Sequence, residues 1–128
     1  MATITEDYCS FEISKLLKDK EFDAECRAAY TNYGKLFTIQ IQQYITNILC
    51  SKGILWDCVA PTHQMALKWL REVHNINICI FPCHYDYILW GYDCKIYKNK
   101  DLLLSLTKTT SYEEAVEIAI KFALENLI

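Results

Sequence analysis

Glycine and proline are both scarce in this sequence, with three and two copies among 128 residues. The three glycines, Gly34, Gly53 and Gly91, stand far apart, so the chain has no glycine-rich loop of the kind that cradles nucleotide phosphates. Low-complexity segments, linkers and internal repeats are also missing. With 52% apolar and 23% charged residues, the composition is that of a globular protein and not of a disordered one.

An excess of positive charge is absent as well, since 13 basic residues stand against 16 acidic ones. Both halves of the chain are mildly acidic, which argues against a surface that condenses on nucleic acid or anionic lipid. No apolar run approaches the roughly 20 residues of a membrane-spanning helix. The first residues lack the basic and apolar regions of a secretory signal. Seven cysteines, an odd number, then favour a cytoplasmic protein with reduced thiols.

The first sixty residues predict a helix followed by a β-hairpin. Ser10 precedes apolar residues on one helical face, which predicts a capped helix over 10–20. Alternation predicts two strands, and the turn between them contains Gly34, the residue best able to adopt a positive φ. The alternating apolar positions of the strands are Cys26, Ala28, Tyr30, Phe37, Ile39 and Ile41. Residues 42–60 are ambiguous: a helical turn or more strand over 44–49, a turn at 51–53 and a short buried strand at 54–56.

Residues 61–128 predict helix, strand, strand, strand, helix. Thr62 caps a helix over about 63–74, which ends at Asn75, a residue type that tolerates the left-handed conformation. The first strand, 76–81, should stop at Pro82. A tyrosine-rich loop, a strand over 90–97, a polar turn over 98–101 and a strand over 102–106 follow. Ser111 caps the last helix, to about 127, with Glu114 placed to bond back to the Ser111 amide.

We therefore predict one α+β domain over residues 1–128. It combines a helix-and-hairpin region (1–60) with an α-β-β-β-α unit (61–128), whose antiparallel sheet carries its helices on one face. The buried stripe of the first helix of that unit should be Ala66, Trp69, Leu70 and Val73. That of the last helix should be Ala115, Val116, Ala119, Phe122, Ala123 and Leu127. Six inward side chains should share one core: Trp69, Ile78, Ile80, Trp90, Phe122 and Leu127.

Cysteines and a histidine over residues 79–94 are the best candidates for chemistry. Cys79, Cys83, His84 and Cys94 could serve as zinc ligands, but the CxxxC spacing has no second pair to match it. Cys83 and His84 are adjacent, and neighbouring strand residues point to opposite faces. We therefore predict no catalytic residue, no metal and no cofactor. An enzyme or small-molecule binder that uses this Cys/His/Tyr cluster is kept as the alternative.

Aromatic residues are dense over 85–97. Most of them are expected to pack in the core, but Tyr and Trp also anchor protein interfaces. Tyr85, Tyr87 and Tyr97 are our candidates for a protein-binding surface, while Trp90 and Tyr92 should point inward. This predicts a protein partner of unknown identity, and the oligomeric state is not specified by the sequence.

The order α-β-β-β-α is also that of double-stranded-RNA-binding domains. Those domains present lysines to phosphate at the start of the closing helix. Here that position carries Glu113, Glu114 and Glu117, which repel phosphate. A nucleic-acid binder is therefore the disfavoured third hypothesis.

Three segments resemble a group of small proteins of gut Bacteroidales and their prophages and mobile elements. The residues that carry the resemblance are 22–37, the stretch Ala60 to Glu72 (APTHQMALKWLRE), and the stretch from Ser111 (SYEEA) to the ending ENLI. No activity is established for that group, so the resemblance implies only a bacterial or phage cytoplasmic protein with an accessory role. Our leading hypothesis for the function is a non-enzymatic accessory protein that binds another protein and acts on host machinery. No functional residue carries over from it.

Overall fold

The computed structural model describes residues 4–38 and 55–128, and for residues 104–108 it describes the backbone only. It confirms the α+β class: the described residues form three helices and two antiparallel three-stranded sheets. The chain divides into two compact units, Met1–Thr62 and His63–Ile128. The prediction of one domain stays a prediction, and each unit is described by itself.

The first unit contains helix α1 (Phe11–Asp19) and strands β1 (Ala28–Thr31), β2 (Leu36–Thr38) and β3 (Trp56–Val59), in the sheet order β2-β1-β3. The predicted helix cap is confirmed, because the Ser10 hydroxyl oxygen accepts a hydrogen bond from the Ile13 amide at 3.2 Å. Gly34 has φ +80°, as the hairpin turn requires. The sequence therefore predicted the helix and the hairpin correctly.

Two predictions for this unit need correction. Strand β1 does not alternate, since all four of its residues are buried; Thr31, for example, is covered where its hydroxyl oxygen accepts a hydrogen bond from the Lys35 amide of the turn. The predicted buried strand at 54–56 begins only at Trp56, and Leu55 is exposed. The predictions for Ile39, Ile41 and residues 42–54 lie outside the described residues.

The second unit has the predicted order: α2 (His63–His74), β4 (Ile76–Tyr85), β5 (Ile88–Lys98), β6 (Asp101–Thr109) and α3 (Tyr112–Asn126). The sheet order is β4-β5-β6, and both helices pack on it. Asn75 ends α2 with φ +57°. The Ser111 cap is confirmed by a 3.1 Å bond from the Glu114 amide. The Glu114 carboxylate, however, accepts a bond from the Thr110 hydroxyl at 2.8 Å in place of the Ser111 amide.

The core of this unit differs in part from the predicted one. Of the six predicted core residues, Trp69 is buried, four are half-buried (Ile78, Ile80, Phe122 and Leu127), and Trp90 is exposed. Helix α3 buries Ile120 and Leu124 completely, which leaves Phe122 and Leu127 at the edge of its buried face. Val73 is also exposed, because it lies in the last turn of α2, past the last buried position, Leu70.

Candidate functional site

Strand β4 continues through Pro82, so the predicted stop at this residue is wrong. The ladder between β4 and β5 pairs Pro82 with Tyr92 and runs on to Tyr85 and Ile88. Proline is tolerated here because β4 is an edge strand of the sheet, where one side of the backbone needs no partner. The predicted tyrosine-rich loop is therefore the far end of a long β-hairpin.

This hairpin extends beyond the third strand. The pairing of β5 with β6 begins at Tyr92 opposite Thr109, whereas β4 and β5 remain paired from Cys83 opposite Gly91 to Tyr85 opposite Ile88. We call residues 83–91 the arm. In the described part of the chain the arm is a two-stranded ribbon, a structure that is marginally stable in water without further packing.

The arm ends in a tight turn with unusual residues. Asp86 has φ +50° and Tyr87 has φ +63°, the left-handed pair that defines a type I′ hairpin turn. Such turns favour Asn-Gly or Asp-Gly, since a side chain in the left-handed region costs roughly 1–2 kcal/mol. The side chain of Tyr87 is fully exposed, at 103%. Packing among the described residues therefore does not offset that cost.

Large apolar side chains cover the arm and are open to solvent. The exposed ones are Tyr85, Tyr87, Ile88, Leu89 and Trp90. The rings of Tyr85 and Trp90 meet edge to face with their centroids 6.3 Å apart. These two rings line a shallow groove of about 370 Å³ together with Cys83 and His84. The arm thus presents a preformed aromatic surface.

The base of the arm is fixed by a close backbone approach. Gly91 has φ +150°, and a Cβ atom at this position would overlap the carbonyl oxygen of Thr109. The Thr109 hydroxyl donates a hydrogen bond to the Tyr92 carbonyl at 3.2 Å, and the Tyr92 ring packs edge to face on Tyr112 at 5.8 Å. The pairing register also shifts between Cys83 and His84, an irregularity of the kind that re-aims strand side chains. Trp90 lies at this irregularity, which explains why it does not point inward as predicted.

The structure brings together two of the three predicted binding residues. Tyr85 and Tyr87 both lie on the arm and are exposed. Tyr97 is half-buried and lies opposite Asn77 at the other end of the hairpin, roughly 30 Å from Tyr87 at the rise of a β-strand. Sequence reasoning missed Ile88 and Leu89 as site residues. The sequence signal was Asp86, because a turn-favouring residue between two β-rich runs indicates a hairpin tip. A tip at Asp86 places Ile88 and Leu89 at the start of the returning strand.

The cysteines of the 79–94 cluster do not converge. Cys79 lies opposite Lys95, and Cys94 lies opposite Ile80, so Cys79 and Cys94 occupy opposite faces of the sheet. Cys94 is buried and Cys79 is exposed. Among the residues that the structure describes, no group of three or more His, Cys, Asp or Glu side chains could hold a metal ion. Of the four candidate zinc ligands, Cys83 and His84 line the groove of the arm.

Three other side chains that could carry chemistry, His63, His74 and Cys58, are held in the packing of the fold. His63 is buried, and its Nε2 lies 2.8 Å from Oε1 of Glu117, so this carboxylate of the acidic helix start binds a histidine. The ring of His74 packs edge to face on Trp69, with 4.5 Å between centroids. Burial, with a smaller contribution from the charge of Asp57, raises the pKa of the Cys58 thiol to about 11. A thiol that holds its proton this firmly is a poor nucleophile at neutral pH.

No protein-family model, curated protein or solved structure matches the chain. The resemblance to the Bacteroidales group therefore stays a prediction. Within the described ranges, 4–38 and 55–128, none of the helices is long and apolar enough to cross a membrane.

Proposed function

We propose that the protein is a non-enzymatic interaction module that inserts the tip of the arm into an apolar groove of another protein. The observation that carries this proposal is Tyr87, a fully exposed aromatic residue held at φ +63°. Left-handed aromatic residues are costly, and residues held in such sparsely populated backbone regions are concentrated at functional sites. The cost is explained if the ring is buried when a partner binds.

The neighbours of Tyr87 support the same function. Tyr85 and Trp90 flank the tip with exposed rings, and Ile88 and Leu89 add exposed aliphatic surface. An aromatic side chain buries about 150–250 Å² when it is covered. Tyr85, Tyr87 and Trp90 are 67%, 103% and 56% exposed, so together they can still bury roughly 340–560 Å² against a partner. Contiguous apolar patches of that size on a protein surface are often interaction sites, and Tyr and Trp are enriched among residues that dominate binding energy.

Pro82 limits strand addition along β4 at the base of the arm. It is exposed on this edge strand, and proline on an edge strand blocks the pairing of a further strand. We expect the partner to bind the exposed side chains of the tip in a groove.

A photo-crosslinking amino acid at position 87 tests this function directly. An aromatic cross-linker replaces Tyr87, and a matched variant carries it at Lys100, which occupies the equivalent left-handed position of the turn at the opposite end of the sheet (φ +78°). In lysate of the cells that carry the gene, we expect a specific protein adduct from position 87 and not from position 100. Equal labelling from both positions would contradict the proposal.

The groove beside Tyr85 favours one second candidate, a small-molecule site. Its volume of about 370 Å³ falls within the range of ligand pockets, and Cys83 and His84 supply polar atoms. Such pockets usually bury most of their ligand, whereas Tyr85 and Trp90 are both more than half exposed. A protein groove that covers these rings is the better fit.

A further inference from the structure

We propose that the partner's groove carries lysine or arginine side chains at its rim, placed to meet the carboxylate of Asp86. This inference rests on the proposed function and specifies the chemistry of the partner. It follows from the distribution of charge along the hairpin and from the position of Asp86 beside Tyr87 in the turn.

The arm, residues 83–91, carries no lysine or arginine. Between Arg71 and Lys95 the sequence contains no lysine or arginine, and its charged residues are Glu72, Asp86 and Asp93. Asp86 is the only one of these on the arm, and it is exposed. The contact surface therefore combines apolar side chains with one negative charge.

Insertion of Tyr87 brings Asp86 to the mouth of the groove, because the two residues are adjacent in a tight turn. A carboxylate that loses water without gaining a cation or a hydrogen-bond donor is strongly penalised. A lysine or arginine at the rim removes this penalty and attracts the arm during encounter. An apolar groove without a cation would fit the rings but leave Asp86 unpartnered.

The same charge pattern disfavours nucleic acid, an anionic membrane or a second copy of this chain as the binding partner of the arm. Nucleic acid and anionic membranes need basic residues on the protein, and the arm has none. A second copy of this chain carries a formal charge of −3. Two arms packed against each other would bring two Asp86 carboxylates close together, and these would repel each other. A different protein with a cationic rim is the occupant that these charges favour.

The test uses the protein captured at position 87, purified and titrated with the arm variants. Asp86→Asn removes the charge and keeps the turn, because asparagine readily adopts the left-handed conformation. Asp86→Lys reverses the charge. Asp101→Asn, at the exposed start of β6 beside the other turn, is the matched control for a lost surface carboxylate.

We expect Asp86→Asn to weaken binding roughly two- to fivefold, as for an exposed ion pair, and Asp86→Lys to weaken it further. Binding by the unchanged protein should weaken as salt rises from about 50 to 500 mM, since screening shortens the range of the attraction, and Asp86→Asn should lose most of this dependence. Asp101→Asn should match the unchanged protein.

Two outcomes would overturn the inference, and a third would contradict the proposed function. Binding that ignores both salt and Asp86 would show that the rim is not cationic, and would leave the proposed function intact. An adduct with nucleic acid or with a second copy of the chain would assign a different occupant. The absence of any specific adduct from position 87 would instead contradict the proposed function itself.

Discussion

The imidazole of His63 and the carboxylate of Glu117 join the first turn of α2 to the second turn of α3, with 2.8 Å between Nε2 and Oε1. The side chain of His63 is 7% exposed and that of Glu117 is 25% exposed. With Nε2 as the protonated ring nitrogen, the carboxylate accepts its hydrogen bond, so this contact satisfies a buried donor between two helices.

Removal of the carboxylate should therefore destabilise the fold. We expect Glu117→Ala to lower the free energy of unfolding by about 1–3 kcal/mol, the cost of an unsatisfied buried polar group. The control is Glu125→Ala on the same helix, whose contact with Lys121 is an exposed pair at 3.9 Å worth only a few tenths of a kcal/mol. Urea unfolding measures both, and equal effects would show that the His63 contact adds nothing.

Gly91 should be intolerant of any side chain. Alanine at this position would overlap the Thr109 carbonyl oxygen, which cannot move without distorting β6. We expect Gly91→Ala to cost about 1–3 kcal/mol, the range of local backbone strain. Gly34→Ala is the comparison, because Gly34 also has a positive φ but a Cβ there would meet the ring of Phe11, which can shift more easily than backbone. A smaller loss of stability for Gly91→Ala than for Gly34→Ala would contradict the close approach.

The buried face of α3 can be tested with two isoleucines. Ile120 is fully buried and Ile118 is 38% exposed. We expect Ile120→Ala to cost about 2–5 kcal/mol, as for a large-to-small core change, and Ile118→Ala to cost within about 0.5 kcal/mol, as for a surface position. Thermal or urea unfolding distinguishes them, and a reversed order would mean that the helix buries a different face.

Local signals predicted most of the fold. Helix caps and tight turns depend on a few neighbouring residues. The conformations or contacts that residue type predicts are therefore found at Ser10, Ser111, Asn75 and Gly34. Helical phase was predicted less well: for α3, Phe122 was placed in the core where Ile120 and Leu124 are found. An apolar stripe wider than the buried face leaves its centre undetermined, and the neighbouring elements decide it.

The arm could be predicted only in part, because two local rules fail there. Proline predicts the end of a strand, but its effect depends on whether the strand lies at the edge of a sheet, which the sequence does not specify. Tyrosine is an unusual residue for a type I′ turn, so Asp86 and Tyr87 did not predict one. Conflicts of this kind between local preference and structure are expected at functional sites.

The thiols should differ in reactivity and in their effect on stability. Cys79 is exposed, whereas burial raises the pKa of Cys58 from 9.0 to about 11. With iodoacetamide at pH 8, peptide mapping should find Cys79 modified well before Cys58, because the thiolate is the reactive form. Faster modification of Cys58 in the folded protein would contradict its burial.

The raised pKa of Cys58 also makes stability dependent on pH. The folded state keeps the proton to higher pH than the unfolded state, so the contribution is present below about pH 9 and is lost as the pH rises towards 11. The free energy of unfolding should therefore fall more steeply over this window in the unchanged protein than in Cys58→Ala. Cys79→Ala should leave the slope unchanged; identical slopes for all three would contradict the shift.

Paired glycine substitutions test most directly whether Tyr87, held in a strained turn, is the residue that binds a partner. Tyr87→Gly and Lys100→Gly both relieve a left-handed side chain, so each should leave stability unchanged or raise it by up to about 1 kcal/mol. Titration with the protein captured at position 87 should then separate them. We expect Tyr87→Gly to weaken binding at least tenfold, the effect of an interface anchor, while Lys100→Gly binds like the unchanged protein. Undiminished binding by Tyr87→Gly, or a loss of stability in this variant, would contradict a binding role for the strained Tyr87.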